Sequence, residues 1–280
     1  MKNKVWFITG ASKGLGLSLV KKLLEKGYCV AATSRNVKEL QREVGGRPDQ
    51  FLALSVDLTN ESSVKEAIDE TVRHFGSVDV IVNNAGYGIV GSLEELSDEE
   101  SRENFNINVF GSLNVIRKAM PYLRRQGSGH IFNIASIAGF NGAFPGFGIY
   151  TASKFAVHGF SESLSAEVKP FGVRVTIVSP GYFRTKFLEA GVLGVPKNEM
   201  AEYKKVREIQ IVHQKDINGK QQGDPDKAAD VMIGIASQPE SPLHLFLGQD
   251  AYDLANSKIA SIEKDMKDVE ALATATGFSN

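Results

Sequence analysis

The sequence predicts an α/β protein built on a doubly wound parallel sheet, and three observations predict it. Short β-branched and aromatic runs recur along the chain, segments with helical spacing lie between them, and a glycine-rich turn joins the first run to the first helical segment. The runs are Val5 to Ile8, Cys29 to Thr33, Phe51 to Val56, Val78 to Val82, His130 to Ile134, Val173 to Val178 and Leu243 to Leu247. They are almost continuously apolar, as strands buried on both faces are. Parallel strands also need crossovers, and helices in those crossovers supply the cover.

Taken in order, the first crossover carries Leu15, Leu19, Leu23 and Leu24 at helical spacing and ends at Gly27. A later one carries Val64, Ala67, Ile68 and Val72 and ends at Gly76. Two stretches depart from this alternation. From about Phe187 to Gln222 the chain is mixed and rich in Lys, Glu and Gly, which predicts a flap or short helical insertion following a strand end. After Gly248, the spacing of Leu254, Ile259, Ile262, Met266 and Val269 predicts an amphipathic C-terminal helix. No composition break divides the chain, so a single domain is expected.

Composition narrows the partners. The 280 residues include 32 Lys+Arg and 33 Asp+Glu, a formal charge of -1, so no long-range field draws in nucleic acid or an anionic membrane. Hydrophobic residues at 42% and charged residues at 23% are enough for an ordinary core. The single cysteine, Cys29, can form no internal disulfide, which fits a reducing, cytoplasmic compartment. The Val5 to Ile8 run is too short for a signal-peptide core, and no stretch approaches the roughly 18 to 20 apolar residues of a membrane span. Histidines 74, 130, 158, 213 and 244 show no paired ligand spacing, so no metal site is expected.

The first strand runs into Thr9-Gly10-Ala11-Ser12-Lys13-Gly14-Leu15-Gly16 and then into helical spacing. Glycines here let the backbone turn sharply and approach a pyrophosphate, whose charge faces the helix N-terminus. The spacing is Gly-x-x-x-Gly-x-Gly, and at this point the chain resembles the short-chain dehydrogenase/reductase family, whose shorter members carry Thr-Gly-x-x-x-Gly-x-Gly. Further motifs follow in the family's order. They are Asp57, Asn83-Asn84-Ala85-Gly86, Asn108, Ser136, Tyr150-Thr151-Ala152-Ser153-Lys154 and Pro180-Gly181, within a resemblance spanning about residues 4–250. It implies a Rossmann-type catalytic domain over residues 1–250, including the flap at about 187–222, and a helical extension over 251–280.

Tyr150 and Lys154 are four apart in a helical segment, so both project from one face. A phenol titrates near pH 10, and a nearby ammonium is expected to lower that and let Tyr150 exchange a proton with an alcohol or ketone oxygen. Ser136 can hydrogen-bond the same oxygen, or serve as a strand-end turn residue. No Gly-x-Ser-x-Gly elbow surrounds it, which argues against a serine nucleophile. The resemblance implies that Lys154 also binds the cofactor ribose and that Asn108 holds a water linking Lys154 to solvent.

An acidic residue after the second strand would bind the ribose 2′-hydroxyl and repel a 2′-phosphate. The chain reads Thr33-Ser34-Arg35 there; Arg35 can pair a phosphate bidentately and Lys13 adds a second cation, which predicts NADP(H). The cofactor-binding positions then include Gly10, Ser12, Lys13, Gly14, Leu15, Gly16, Ser34 and Arg35. The resemblance implies Asp57 and Leu58 by the adenine, Asn83, Ala85 and Gly86 by its ribose, and Pro180, Gly181, Phe183 and Thr185 along the nicotinamide, with Thr185 on the carboxamide. Asp57 also suits the start of a turn.

Ile137, Phe140, Phe144 and Phe147, with Phe183 and Phe187, could wall an apolar cleft for a hydrophobic ketone, aldehyde or secondary alcohol, or could pack the flap onto the core. The stretch Tyr-x-Ala-Ser-Lys-Phe-Ala-Val-x-Gly is similar to carbonyl, retinal and hydroxysteroid reductases. The family's Asp-Gly-Gly near the last strand is replaced by Leu247-Gly248-Gln249-Asp250-Ala251, a region that contributes to tetramer contacts in the family, so a homo-oligomer stays open. The expectation is an NADP(H)-dependent oxidoreductase whose small-molecule substrate is a hydrophobic ketone, aldehyde or secondary alcohol. The alternatives are a nonenzymatic dinucleotide-binding sensor or scaffold, which would lose the catalytic residues, and a sugar-nucleotide epimerase or dehydratase, which would carry a different glycine spacing.

Overall fold

The computed structural model describes residues 4–45 and 48–278. Its strands are β1 (Val5–Ile8), β2 (Cys29–Ser34), β3 (Phe51–Ser55), β4 (Val80–Asn83), β5 (Gly129–Ile134), β6 (Val173–Pro180) and β7 (His244–Leu247). They form one sheet in the order β3-β2-β1-β4-β5-β6-β7, with every pairing parallel. The chain starts mid-sheet, winds outward to β3, and returns to the other side of β1. Strand order therefore reverses between β1 and β4, and the loops leaving their C-terminal ends part to form a crevice.

The helices are α1 (Gly14–Glu25), α2 (Val37–Val44), α3 (Glu61–Phe75), α4 (Asp98–Phe105), α5 (Gly111–Gln126), α6 (Gly148–Val168), α7 (Lys204–Ile211), α8 (Pro225–Ser237) and α9 (Gln249–Ala273). Alternate strand residues feed two separate cores. Trp6, Ile8, Val80, Val82 and Phe132 pack with Leu19 and Leu23 of α1 and Met232 of α8, whereas Phe7, Ile81 and Ile131 pack with Ile68 of α3, Val115 of α5 and Leu164 of α6. Because both faces are covered, the strands read as unbroken apolar runs instead of alternating ones. Side-chain caps start the helices where the sequence offers them: Asn60 accepts from Ser62 and Ser63 at α3, and Ser97 with Glu100 forms a capping box at α4.

Between α4 and α5 the backbone loosens into a π-type turn over Asn106–Phe110, a local irregularity that re-aims Asn108. The stretch after β6 contains a 3-10 turn at Lys186–Leu188, then α7, then a second π-type turn at Val212–Ile217. It is tied down firmly. Gly194 exchanges backbone hydrogen bonds of 2.9 Å with Val90 and Gly88. Two buried carboxylates complete the attachment: Glu95 accepts from Met200 N at 3.0 Å and pairs with Arg207 at 3.0 Å, and Glu100 accepts from Lys197 N at 2.8 Å.

The C-terminal helix differs from its periodicity. Ala251 and Ala255 of α9 pack with Ile137, but the apolar face beyond them, from Ile259 at 42% to Met266 at 66%, stays exposed. No helix among the described residues is long and apolar enough to cross a membrane.

Candidate active site

A cleft of about 1180 Å³ runs along the C-terminal ends of the strands, from Arg35 and Asn36 past Gly10 and Gly14 to Ser136 and Tyr150. Its base is fixed by Thr9. The Thr9 hydroxyl accepts from Asn84 N and Ala85 N, each at 3.0 Å, while Asn84 Nδ2 donates to the carbonyls of Thr9 and Gly10, each at 2.9 Å. Gly10 has φ +63°, and a Cβ there would come within 2.7 Å of Ala85 Cα. Lys13, at the N-cap of α1, makes no side-chain cap and no acidic residue follows in the first turn, so the first amides of α1 face the cleft uncapped. Such an end favours an anion. This cradle fits a dinucleotide pyrophosphate.

At the Arg35 end of the cleft no carboxylate closes β2. Ser34 Oγ accepts from Asn36 N at 3.0 Å, and Arg35 is exposed with no ion pair among the described residues. Lys13 is not free in the same way: its Nζ lies 3.8 Å from Glu39 Oε1, a residue the sequence reading did not consider. Asp57 adopts the turn role while still lining the cleft, with Oδ1 accepting from Thr59 N at 2.9 Å and Thr59 Oγ1 at 2.7 Å.

At the other end, α6 presents Tyr150 and Lys154 one turn apart, both buried. Lys154 Nζ donates to the Ile134 carbonyl at 2.8 Å and sits 5.9 Å from the centre of the Tyr150 ring. Burial pushes the Lys154 ammonium down to about 8. The same burial pushes the Tyr150 phenol up to about 12, against the pull of a hydrogen bond with Ser136. The sequence expectation was a lowered phenol; at rest, loss of water outweighs the Ser136 hydrogen bond and the shift is upward. Ser136 Oγ accepts from Ala138 N at 3.1 Å, which orients its hydroxyl at the mouth of the cleft.

Most predicted positions line the cleft: Gly10, Ser12, Lys13, Gly14, Leu15, Ser34, Arg35, Asp57, Leu58, Ala85, Gly86, Ser136, Tyr150, Lys154, Pro180, Gly181, Phe183 and Thr185. Three do not. Gly16 packs beneath, where a Cβ would lie 2.5 Å from Asn84 Nδ2. Asn83 points into the sheet and donates to Asn133 Oδ1 at 2.8 Å, so of this adjacent pair it is Asn84 that lines the cleft. Asn108 is buried beside the cleft, its Nδ2 bonded to Tyr87 O, Asn104 Oδ1 and Ser153 Oγ and its Oδ1 accepting from Tyr87 N at 3.0 Å. Of the aromatics, Phe144, Phe147, Phe183 and Phe187 reach the cleft, whereas Phe140 packs away from it on Phe246, with ring centroids 5.2 Å apart.

Residues not foreseen from the sequence complete the walls. Asp250, at the start of α9, accepts from Tyr182 N at 2.7 Å and so holds the turn after Pro180. His213 reaches in from the π-type turn with Nδ1 on the Ile209 carbonyl at 2.8 Å. Its Nε2 then accepts from Tyr182 Oη at 2.9 Å. A polar pair, Tyr182 and His213, therefore lines the same cleft as Tyr150.

Residues 4–192 match the pattern of the short chain dehydrogenase family. The chain belongs to that family. It is an NAD(P)-dependent oxidoreductase of the short-chain type. It is 36% identical over 250 residues to a 3-ketodihydrosphingosine reductase of Bacteroides thetaiotaomicron, covering 89% of each chain. A crystal structure of a short-chain dehydrogenase from Streptomyces avermitilis superposes with a TM-score of 0.89 at 34% identity, covering 99% of this chain and 100% of that one. A 3-ketoacyl-(acyl-carrier-protein) reductase from Brucella melitensis, solved with NADH, superposes at 0.72 with 25% identity over 88% of this chain and 96% of that one.

The crowding at Gly10 makes a direct prediction. Gly10→Ala forces a Cβ against Ala85 and should weaken dinucleotide affinity about tenfold or more in a fluorescence titration. Unchanged affinity in a folded variant would remove Gly10 from the cradle.

Proposed function

We propose that the protein is an NADP(H)-dependent reductase of a hydrophobic ketone or aldehyde, and in the reverse direction a dehydrogenase of the matching secondary alcohol. The observation that carries this reading is the convergence of Ser136, Tyr150 and Lys154 on one cleft, with Arg35 at its far end and Phe144, Phe147, Phe187 and Leu188 around the near end. The name of the Bacteroides relative, a reductase of a keto compound, supports the same class.

Bound NADP(H) supplies or accepts the hydride. The Ser136 hydroxyl donates a hydrogen bond, without giving up its proton, to the substrate oxygen and holds that oxygen toward Tyr150. Tyr150, kept neutral by burial, gives its phenolic proton to the same oxygen during reduction and takes it back during oxidation. Lys154, anchored on the Ile134 carbonyl, places its charge beside the phenol and has donors left for the cofactor ribose. Asn108 holds the Tyr87 loop and supports the proton relay from Lys154. The segment at about 187–222 acts as a substrate flap through Phe187, Leu188 and His213.

Arg35 carries the cofactor preference. With Lys13 shared by Glu39, it is the cation at the adenosine end that no carboxylate neutralises among the described residues, and a guanidinium suits a 2′-phosphate.

Three outcomes test these roles. Tyr150→Phe should lower kcat for ketone reduction by about 10²- to 10⁴-fold with cofactor affinity retained, and comparable turnover rejects the mechanism. Arg35→Asp should weaken NADPH binding about tenfold or more and shift preference toward NADH. If the unmodified protein binds NADH as tightly as NADPH, the cofactor assignment fails. The pH profile follows from Lys154: its ammonium is present below about 8 and lost above, while Tyr150 stays protonated. Reductive turnover should therefore fall as pH rises through about 8, and a profile flat to about pH 10 would contradict this.

A further inference from the structure

His158 and His244 lie far apart in sequence, and neither has a second ligand histidine at close spacing. The fold brings them together. His158 and Glu162 stand one turn apart on α6, and His244 opens β7, the strand paired with β6. One ligand atom from each of the three lies within 4.8 Å of the others, and the two imidazoles stack with centroids 6.0 Å apart and an interplanar angle of 18°. His158 is buried, with Nε2 held 3.0 Å from Ser179 Oγ near the end of β6. The side chains of Glu162 and His244 are exposed and make no hydrogen bond or ion pair among the described residues.

We propose that His158, Glu162 and His244 bind one divalent transition-metal ion, Zn²⁺ above all. Two imidazoles and a carboxylate are a donor set suited to such ions, and neither Mg²⁺ nor Ca²⁺, which take oxygen ligands, matches it. A tetrahedral ion with bonds of about 2.0–2.1 Å spaces its ligands by roughly 3.4 Å, so the three groups must draw inward. Glu162 and His244, exposed and without a hydrogen bond or ion pair among the described residues, do this by changing rotamer, while Ser179 steadies the buried ring as an outer-shell partner. The fourth position is left to water. The ion fastens α6, one turn beyond Lys154, to the edge strand, and it takes no part in the hydride chemistry.

The test uses the untagged full-length protein after EDTA treatment, titrated with Co²⁺ and with Zn²⁺ and followed by visible absorption and calorimetry. One Co²⁺ per chain, displaced by Zn²⁺, is expected, with affinity at least tenfold weaker in His244→Ala and in Glu162→Ala. Zn²⁺ at 100 times its Kd should raise the Tm of the parent protein by about 5 °C and leave that of His244→Ala unmoved. Because His244 is exposed, this variant should match the parent's circular dichroism and Tm in EDTA, which separates loss of the site from loss of the fold. No saturable binding by the parent, or equal binding by a folded His244→Ala, overturns the proposal.

Discussion

Both walls of the cleft hang on Thr9. Parallel strands have no hairpin to align their ends, and the reversal of strand order sends the loops after β1 and β4 in opposite directions. The Thr9 hydroxyl and carbonyl tie them back together through Asn84 and Ala85. Each such bond contributes only about 1 kcal/mol net, but a buried amide left without a partner costs about 1–3 kcal/mol, so the loops have one satisfactory arrangement. That arrangement brings Gly10 onto Ala85 and opens the first turn of α1 toward the cleft. A threonine at the end of one strand thereby shapes the floor of the cleft.

The second organising element is α6. Tyr150, Lys154, His158 and Glu162 recur every fourth residue along it, so one stripe passes from the cleft to the edge of the sheet. The first three are buried by the core and by the loop after β5. Polar groups in that setting need partners, and each has one: Ser136 for Tyr150, the Ile134 carbonyl for Lys154, Ser179 for His158. The stripe is thus held in register by Ile134 at the end of β5, Ser136 in the loop just after it, and Ser179 near the end of β6.

What the sequence made legible follows from periodicity and local chemistry. Unbroken apolar runs located the strands because each is covered twice, and the glycine turn and the Tyr150–Lys154 spacing are local enough to be read along the chain. What stayed hidden depends on which way a side chain faces or on contacts distant in sequence. Asn83 and Asn84 are adjacent, yet the strand pleat sends Asn83 into the sheet and leaves Asn84 at the cleft. Glu39 reaches Lys13, and Asp250 reaches Tyr182, only after the sheet has formed. The helical spacing of α9 was legible, but spacing carries no information about whether a partner exists for the apolar face, and beyond Ala255 none covers it within the described chain.

The electrostatics of the Tyr150–Lys154 pair invert the simplest reading of the motif. An ammonium beside a phenol should lower the phenol, as it does in water; here burial moves both groups toward their neutral forms, the phenol up to about 12 and the ammonium down to about 8. In the resting site Tyr150 is therefore neutral, and Lys154 exerts little leverage on it. In the proposed reaction the leverage appears when the proton leaves. As negative charge develops on the phenolic oxygen, an ammonium held nearby in a poorly solvated pocket stabilises it more than water-exposed charges could. An interaction weak in the ground state and strong as charge develops is the kind that lowers a barrier, whereas a phenol already ionised at rest would have spent that stabilisation before substrate arrived. In the reaction we propose, burial of the pair, which looks unfavourable for each group separately, reserves its electrostatic effect for the proton transfer itself.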